Sequence, residues 1–453
     1  MSTPISRRHA LGYAAAAVAG ATGLSACGGG DASTSSVRAS GSAGAGTGGG
    51  RLTYWASNQA PTTALDTSIL TPVFAAFTKQ SGIAVDITVV PWSDLYTKIL
   101  TATTSGNGPD LLNIGNTWAA ALQATGAFVE FDDATLAKVG GKDKFFATSY
   151  ATTGAPGKTP TSVPLYGLAY GLFWNKAVFK AAGIAGPPKT WPEFMATAKK
   201  ITNPSAGVYG VGIEGASVSE NAHWAFMLGQ QQGGNLFTDG KPTFASDQQV
   251  AAVTQYLDWM AKDKIAAPNN AEYDIDTRLL GDFAKNKTGM VMLQGGAVAA
   301  LKSLGMPESA YGVSSIPLPD PMPAGGKPVQ SHTAGINLSV FKNTGNDDKA
   351  LQLVKFMTET STQSGLNASF NSLPVVNAAY DDPRFQTSVY KTFKTVLQDH
   401  AAPMPQIPQE GQMETLVGTA MKGLWAKAAT GSLQDGDIKS ALDQANQQMA
   451  AAS

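Results

Sequence analysis

Thr101–Trp118, TATTSGNGPDLLNIGNTW, is the stretch whose reading decides the fold. It opens as the end of a helix. Gly106, Asn107 and Gly108 break that helix, because glycine tolerates backbone angles that other residues do not. Pro109 fixes the exit, and Asp110-Leu111-Leu112 begins a short apolar run of the kind that forms a buried strand. Gly115-Asn116-Thr117-Trp118 follows, small and polar residues closed by an indole. In an open α/β sheet, ligands sit beyond the carboxyl ends of the strands. The tetrapeptide therefore stands where a ligand would be, although a plain helix–strand–helix unit with polar turns accounts for the same residues.

Working outward, Leu52–Ala56 reads as a first strand with a polar turn, Ser57 to Pro61, at its carboxyl end. Leu70–Gln80 has helical apolar spacing (Leu70, Val73, Phe74, Phe77) and stops at Ser81-Gly82. Ile83–Val90 alternates as a strand, and Pro91-Trp92-Ser93-Asp94 opens the helix that runs to Ser105. This βαβα order predicts a sheet with parallel strands and helices on its faces. Downstream, Trp118–Gly126 is expected to be helical. Pro164–Lys176 is strand-like and aromatic, a candidate crossing into a second lobe. Thr190 suits a helix N-cap, with Trp191-Pro192-Glu193 in the first turn. Helices are expected at His223 to Gly233 and Val250–Asp263, and strands at Met290–Leu293 and Gly335–Phe341. Tyr311–Pro317 and Phe370–Pro374 are the candidate second and third crossings, and the chain beyond is mostly helical.

The 453 residues allow two or three domains on a prior of roughly 150 residues each. Hydrophobic residues make up 43%, enough for a sizeable core, while charged residues are only 14%. A net charge of −1 leaves no electrostatic footprint for nucleic acid. With Cys27 as the single cysteine, an intrachain disulfide is ruled out and no cysteine-rich metal site exists.

That cysteine has a context of its own. Ser6-Arg7-Arg8 precedes an apolar run, Ala10–Ala26, which ends in Leu24-Ser25-Ala26-Cys27. A positive start, a short apolar middle and small residues before a cleavage point make a secretory signal over residues 1–26. The paired arginines are similar to a twin-arginine export signal, with His9-Ala10 where that consensus has a phenylalanine. The run is shorter than the ~20 residues that span a bilayer. Leu-Ser-Ala-Cys resembles a bacterial lipobox, whose cysteine is lipidated and becomes the new N-terminus. Residues 27–50 are then a flexible tether, since Gly, Ala, Ser and Thr cannot bury a core.

Catalytic patterns are missing from the sequence. Histidines 9, 223, 332 and 400 are scattered, and there is no H-E-x-x-H, no G-x-S-x-G and no nucleophilic cysteine. Gly157-Lys158-Thr159 lacks the leading glycine and the strand of a phosphate loop. Gly210-x-Gly212-x-x-Gly215 matches a dinucleotide fingerprint formally, yet Ser217, Ser219 and Asn221 follow where that motif needs a helix to begin. Polar–aromatic loops stand out instead: Trp55 with Asn58 and Gln59, Trp92, Asn116 to Trp118, Tyr166, Tyr170, His223 and Trp224. Sugars have apolar C–H faces and polar rims, so a sugar site wants flat aromatic faces with amide and carboxylate partners. Core packing is the competing account of each single aromatic.

Further residues carry a resemblance. They are Ser105-Gly106-Asn107-Gly108-Pro109-Asp110, Ala124-Thr125-Gly126, Phe173-Trp174-Asn175-Lys176, Pro187 to Trp191, Phe283 to Thr288, Tyr311-Gly312-Val313 and Ala334 to Asn337. In their order and spacing, from Leu52 to Gln448, the chain resembles the extracellular solute-binding proteins of ABC importers, specifically the carbohydrate-binding cluster that includes maltose-binding protein. The resemblance implies a two-lobed, type II periplasmic-binding-protein-like α/β fold, with parallel-type sheets flanked by helices and a ligand cleft between the lobes. It places residues 51–165 and 317–369 in an N-terminal lobe and residues 166–316 and 370–453 in a C-terminal lobe, joined by three crossings, with hinge closure on binding. It also implies a binding lipoprotein rather than an enzyme, monomeric and without cofactor or metal, on the extracytoplasmic face of the membrane. Its partners would be a mono- or oligosaccharide and a permease pair with a cytoplasmic ATPase.

The candidate ligand contacts are Asn58, Gln59, Trp92, Asn116, Thr117, Trp118, Tyr170, Glu214, His223, Trp224, Gln294, Gly295 and His332. Maltodextrin binders carry a glutamate where Leu168 stands and an asparagine-glycine-proline-tryptophan where this chain has Gln294-Gly295-Gly296-Ala297. A later stacking tryptophan, near Met404 to Gln409, is replaced by Glu414. The departures point away from maltose and leave the class intact. Two alternatives stay open: a non-sugar solute such as a polyamine, phosphate ester or peptide, for which Glu214, Glu220 and Asp94 offer carboxylates, and a secreted glycosidase.

Overall fold

The computed structural model describes residues 49–451 apart from Pro61, Ile275, Asp276 and Asn343. The expected signal, Cys27 and nearly all of the tether lie outside the described residues.

Two sheets organise the chain. The first has five strands in the order Ala84–Val90, Arg51–Ser57, Leu111–Gly115, Ala334–Val340, Val163–Leu168. The second has four, in the order Tyr311–Ser314, Tyr170–Asn175, Thr288–Gln294, Tyr209–Gly212. Each sheet is buried on both faces. Alternation divides neighbouring residues between layers: Leu111 packs with Tyr54 and Leu338, whereas Leu112 packs with Ile99 and Phe128. In the second sheet Tyr170 and Leu172 face one core, and Phe173 and Val291 the other. Sheets covered by helices on both sides read as continuous apolar runs, as the strand at Leu111 does.

The opening βαβα unit is parallel, with Arg51–Ser57 paired to Ala84–Val90 on one side and to Leu111-Leu112 on the other. The strands that enter through the crossings run antiparallel: Ala334–Val340 against Leu111–Gly115 and against Val163–Leu168. The second sheet is likewise mixed.

Local chemistry sets the element ends. The first helix is Thr63–Ser81 and begins well before Leu70, because the Thr62 side chain accepts from the Leu65 N–H. Asp66, buried in its first turn, accepts from the Gln59 and Ala60 N–H groups and pins the preceding loop. Thr190 caps the helix Trp191–Ile201, accepting from the Glu193 N–H. Residues 164–176, expected as one strand-like crossing, are two strands, Val163–Leu168 and Tyr170–Asn175, which belong to different sheets and divide at Ala169. After Phe370 the chain does not leave at once: Val375, Val376 and Ala379 still pack with Phe370 into the core of the first sheet.

Two glycines explain close approaches. A Cβ at Gly210 would overlap the Ala198 backbone of the helix Trp191–Ile201. The formal dinucleotide fingerprint is thus a strand pressed against a helix. At Gly418 a Cβ would overlap the Val218 carbonyl. That contact lets the helix Glu410–Thr430 lie directly on the start of the helix Val218–Gln231.

Candidate functional site

On the five-stranded lobe, the carboxyl ends of the first three strands carry neutral aromatic and amide groups. The Asn58 side-chain oxygen accepts from the Trp92 N–H at 2.6 Å, which ties the loop after the first strand to the helix Trp92–Ser105. The Trp92 and Trp118 rings stack, with centroids 4.5 Å apart and planes 21° from parallel. Tyr96 closes on Trp118 at 4.9 Å. Gly115 leaves room for this pair, since a Cβ there would press on both indoles. Trp92 is 40% exposed, a large apolar ring held at the surface. Asn116–Trp118 form a single 3-10 turn, from which Asn116 donates to the Thr333 carbonyl at 2.7 Å.

The four-stranded lobe presents a buried polar network. The Tyr170 hydroxyl donates to Glu220 Oε2 at 2.6 Å and is contacted by His223 Nδ1 at 2.8 Å and Gln294 Nε2 at 3.1 Å. On its other side His223 Nε2 reaches Glu414 Oε1 at 3.2 Å. Its ring stacks on His332, centroids 4.0 Å apart. The packing at Gly418 produces this convergence, because it brings Glu414, near the start of one helix, to Glu220 and His223, near the start of the other. Glu410, one turn before Glu414 and fully buried, lies beside Thr117 of the opposite lobe, and neither of its carboxyl oxygens makes a well-formed hydrogen bond.

Burial disfavours a charge on His223, but Glu220 and Glu414 outweigh it and raise its pKa to about 9. A protonated His223 then donates from both nitrogens, to Tyr170 and to Glu414. Burial and the charge on His223 push His332 well below the usual histidine range, so it is neutral. Burial, then Glu414, pushes Glu410 well above the usual carboxyl range. Burial and Glu220 do the same to the Tyr170 phenol.

The structure gathers the sequence-derived candidates into two groups. Asn58, Trp92 and Trp118 form the first, with Asn116 and Thr117 leading across to the second. Tyr170, His223, Gln294 and His332 form the second, with Trp224 packed edge-on to Tyr170 at 5.6 Å. Glu214 borders a cavity of about 10 Å³ with Trp224 and Tyr256, space for about one water. The remaining candidates fall outside. Gln59 donates to Ser57 and to the Asn58 carbonyl within its own loop, held there by short-range hydrogen bonds. At Gly295 a Cβ would meet Phe393 and the Asn371 carbonyl, which faces it away from the network. Asp94 is exposed and accepts from Ser93, so it does not join the other carboxylates. Tyr166 is core, edge-on to Phe370. Sequence reasoning did not find Tyr96 or Glu410. The i, i+4 spacing of Glu410 and Glu414 on one helix face was the only signal for the latter.

Among the described residues, no three histidine, cysteine or carboxylate side chains converge as metal ligands. What the arrangement offers is an aromatic platform on one lobe and a charged hydrogen-bonding network on the other.

Residues 60–364 match the family of bacterial extracellular solute-binding proteins. The chain belongs to that family. It is a binding protein of the extracytoplasmic space, with a two-lobed α/β fold. The binding protein is 27% identical over 309 residues to the diacetylchitobiose binding protein DasA of Streptomyces coelicolor, covering 66% of this chain and 68% of that one. It is 26% identical over 256 residues to the sn-glycerol-3-phosphate-binding periplasmic protein UgpB of Agrobacterium fabrum, covering 54% and 55%. Its fold is similar to that of an ABC transporter solute-binding protein from Thermotoga lettingae solved with α-D-tagatose, with a TM-score of 0.73, 23% identity, and coverage of 88% of this chain and 99% of that one.

Proposed function

We propose that this protein is the receptor of an ABC importer and captures a mono- or oligosaccharide between its lobes by hinge closure. A membrane permease with a cytoplasmic ATPase then takes the sugar. Lipid on Cys27 and the tether to residue 50 hold the receptor at the membrane while leaving it free to reorient.

The observation that carries the sugar reading is the Trp92–Trp118 stack at the strand ends, with an exposed indole on one lobe and a hydrogen-bonding network on the other. A flat apolar ring facing amides, hydroxyls and carboxylates suits a ligand with C–H faces and a hydroxyl rim. DasA, one of the more similar relatives, is named for a disaccharide, which supports the same class. In the arrangement described, Thr117 of one lobe already meets Glu410 of the other, so a sugar enters only when the lobes part. The carboxylates of that wall favour a second reading, a cationic non-sugar solute such as a polyamine.

Thermal unfolding of the protein against a panel of sugars, polyamines, peptides and glycerol phosphates tests the proposal. A ligand that binds only the folded form raises the melting temperature by mass action. A shift with a sugar class is the expected result. A shift with a polyamine, peptide or phosphate and with no sugar would overturn the sugar reading.

A further inference from the structure

Resting on that carbohydrate reading, we propose that the solute carries a basic nitrogen: an amino sugar or an oligosaccharide of amino sugars, its ammonium held by Glu220 and Glu414 in front of Glu410 and its hydroxyls by His332.

Carboxylates are in surplus around His223. Glu220 and Glu414 both pair with the same imidazole, at 3.7 Å and 3.2 Å. The ion pairs that the described residues make around these carboxylates involve His223 and no lysine or arginine. Glu410 adds a third carboxyl group behind them, fully buried and without a well-formed hydrogen bond. Buried charges are ordinarily paired, because desolvating an unpaired one is very costly. One imidazolium between two carboxylates leaves a net negative charge, and the third carboxyl group beside them keeps its proton for want of a second cation.

An independent feature points to hydroxyls. His332 is 2% exposed, stacked on His223 and close to Tyr170, yet neither ring nitrogen has a hydrogen-bond partner among the described residues. The neighbouring Thr333 hydroxyl is also unpartnered. Native structures rarely leave such groups unsatisfied, and one that does signals a missing partner. A neutral imidazole needs one acceptor and one donor at once, and a hydroxyl group is both.

The two demands select the ligand class together. A polyamine supplies ammonium groups and no hydroxyl for His332. A neutral sugar supplies hydroxyls and leaves the carboxylates short of a cation. An amino sugar meets both, and charge-assisted hydrogen bonds from its ammonium are the stronger kind. Because burial and Glu414 keep a proton on Glu410 in the closed protein, an arriving ammonium would displace it, so binding releases a proton.

The test is calorimetric titration of the protein at pH 7 with glucosamine and its β-1,4 oligomers, with their N-acetyl counterparts, with glucose and cellobiose, and with spermidine. We expect the free-amine sugars to bind at least about tenfold tighter than the N-acetyl and neutral forms. We also expect the heat to vary with buffer ionisation enthalpy, as proton release requires. Glu414→Gln, or Glu220→Gln if the first variant fails to fold, should narrow that preference. N-acetyl or neutral sugars binding as tightly as the amines would overturn the proposal and leave the carbohydrate reading intact. Spermidine binding with every sugar silent would overturn both.

Discussion

Two groups of side chains lie at the junction where Thr117 meets Glu410: Trp92, Trp118 and Tyr96 in one, and Glu220, His223, Glu410, Glu414 and His332 in the other. The first wall is neutral and partly open to solvent, built on turns at strand ends. The second is buried and titratable, built where two helices cross through Gly418. Their energetics differ accordingly. Ring stacking is insensitive to pH and salt, whereas a cluster of carboxylates around an imidazolium depends on both its protonation and its burial. On the proposed reading such a receptor would separate shape from charge, with a fixed surface on one lobe and a charge requirement on the other.

The largest effect expected from breaking this contrast is at Trp224, which stands behind the charged wall. It is 3% exposed and packs edge-on to Tyr170 and against Tyr256. Trp224→Ala should cost about 3–5 kcal/mol of stability, the range for truncating a buried aromatic. Urea denaturation measures it. A loss below about 1 kcal/mol would mean that the wall is not backed by a packed core.

Next in size is a pH dependence that only the charged wall can produce. The pKa of His223 is raised from 6.5 to about 9, with Glu220, Glu414, Tyr170 and His332 all facing the ring. A raised pKa means the folded state holds the proton more tightly. The stabilisation is therefore complete below the unfolded value and is lost as pH rises through about 9. Its size is on the order of 3 kcal/mol. His332 works oppositely: its depressed pKa gives a contribution that is present above the usual histidine value and lost on acidification. Denaturant midpoints should fall between pH 6.5 and 9, and His223→Gln should flatten that slope. A variant with an unchanged slope would assign it to another group.

The two walls were not equally legible in the sequence. Trp92, Asn116 and Trp118 could be placed because glycine, proline and apolar runs mark strand ends, and ligand-facing loops follow strand ends. The same logic located the first strand and the helix capped by Thr190. It failed where no local signal exists. The division at Ala169 is invisible because Leu165 to Trp174 is apolar and aromatic throughout, and only pairing with two different sheets separates the strands. The chain's delay in leaving the first core after Phe370 is likewise a matter of tertiary packing by Val375 and Val376. Glu410 was the hardest residue to see. A glutamate in the first turn of a helix ordinarily faces solvent and complements the helix dipole. Here that turn is pressed into the junction, beside Thr117, which comes from a turn far away in sequence.

The smallest expected change in stability, and the sharpest separation of the walls, is at Trp92. Its ring is 40% exposed, so truncation removes little that folding buries. Trp92→Ala should cost about 1 kcal/mol or less, mostly the loss of its stack on Trp118. The pH slope set by His223 should not move, since the ring contact of this indole is to Trp118. Sugar affinity should nevertheless fall, by up to a few kcal/mol, because the removed face is the one a bound sugar would cover. If Trp92→Ala instead left sugar binding unchanged, the aromatic platform would be a surface accident, and recognition would rest on the charged wall alone.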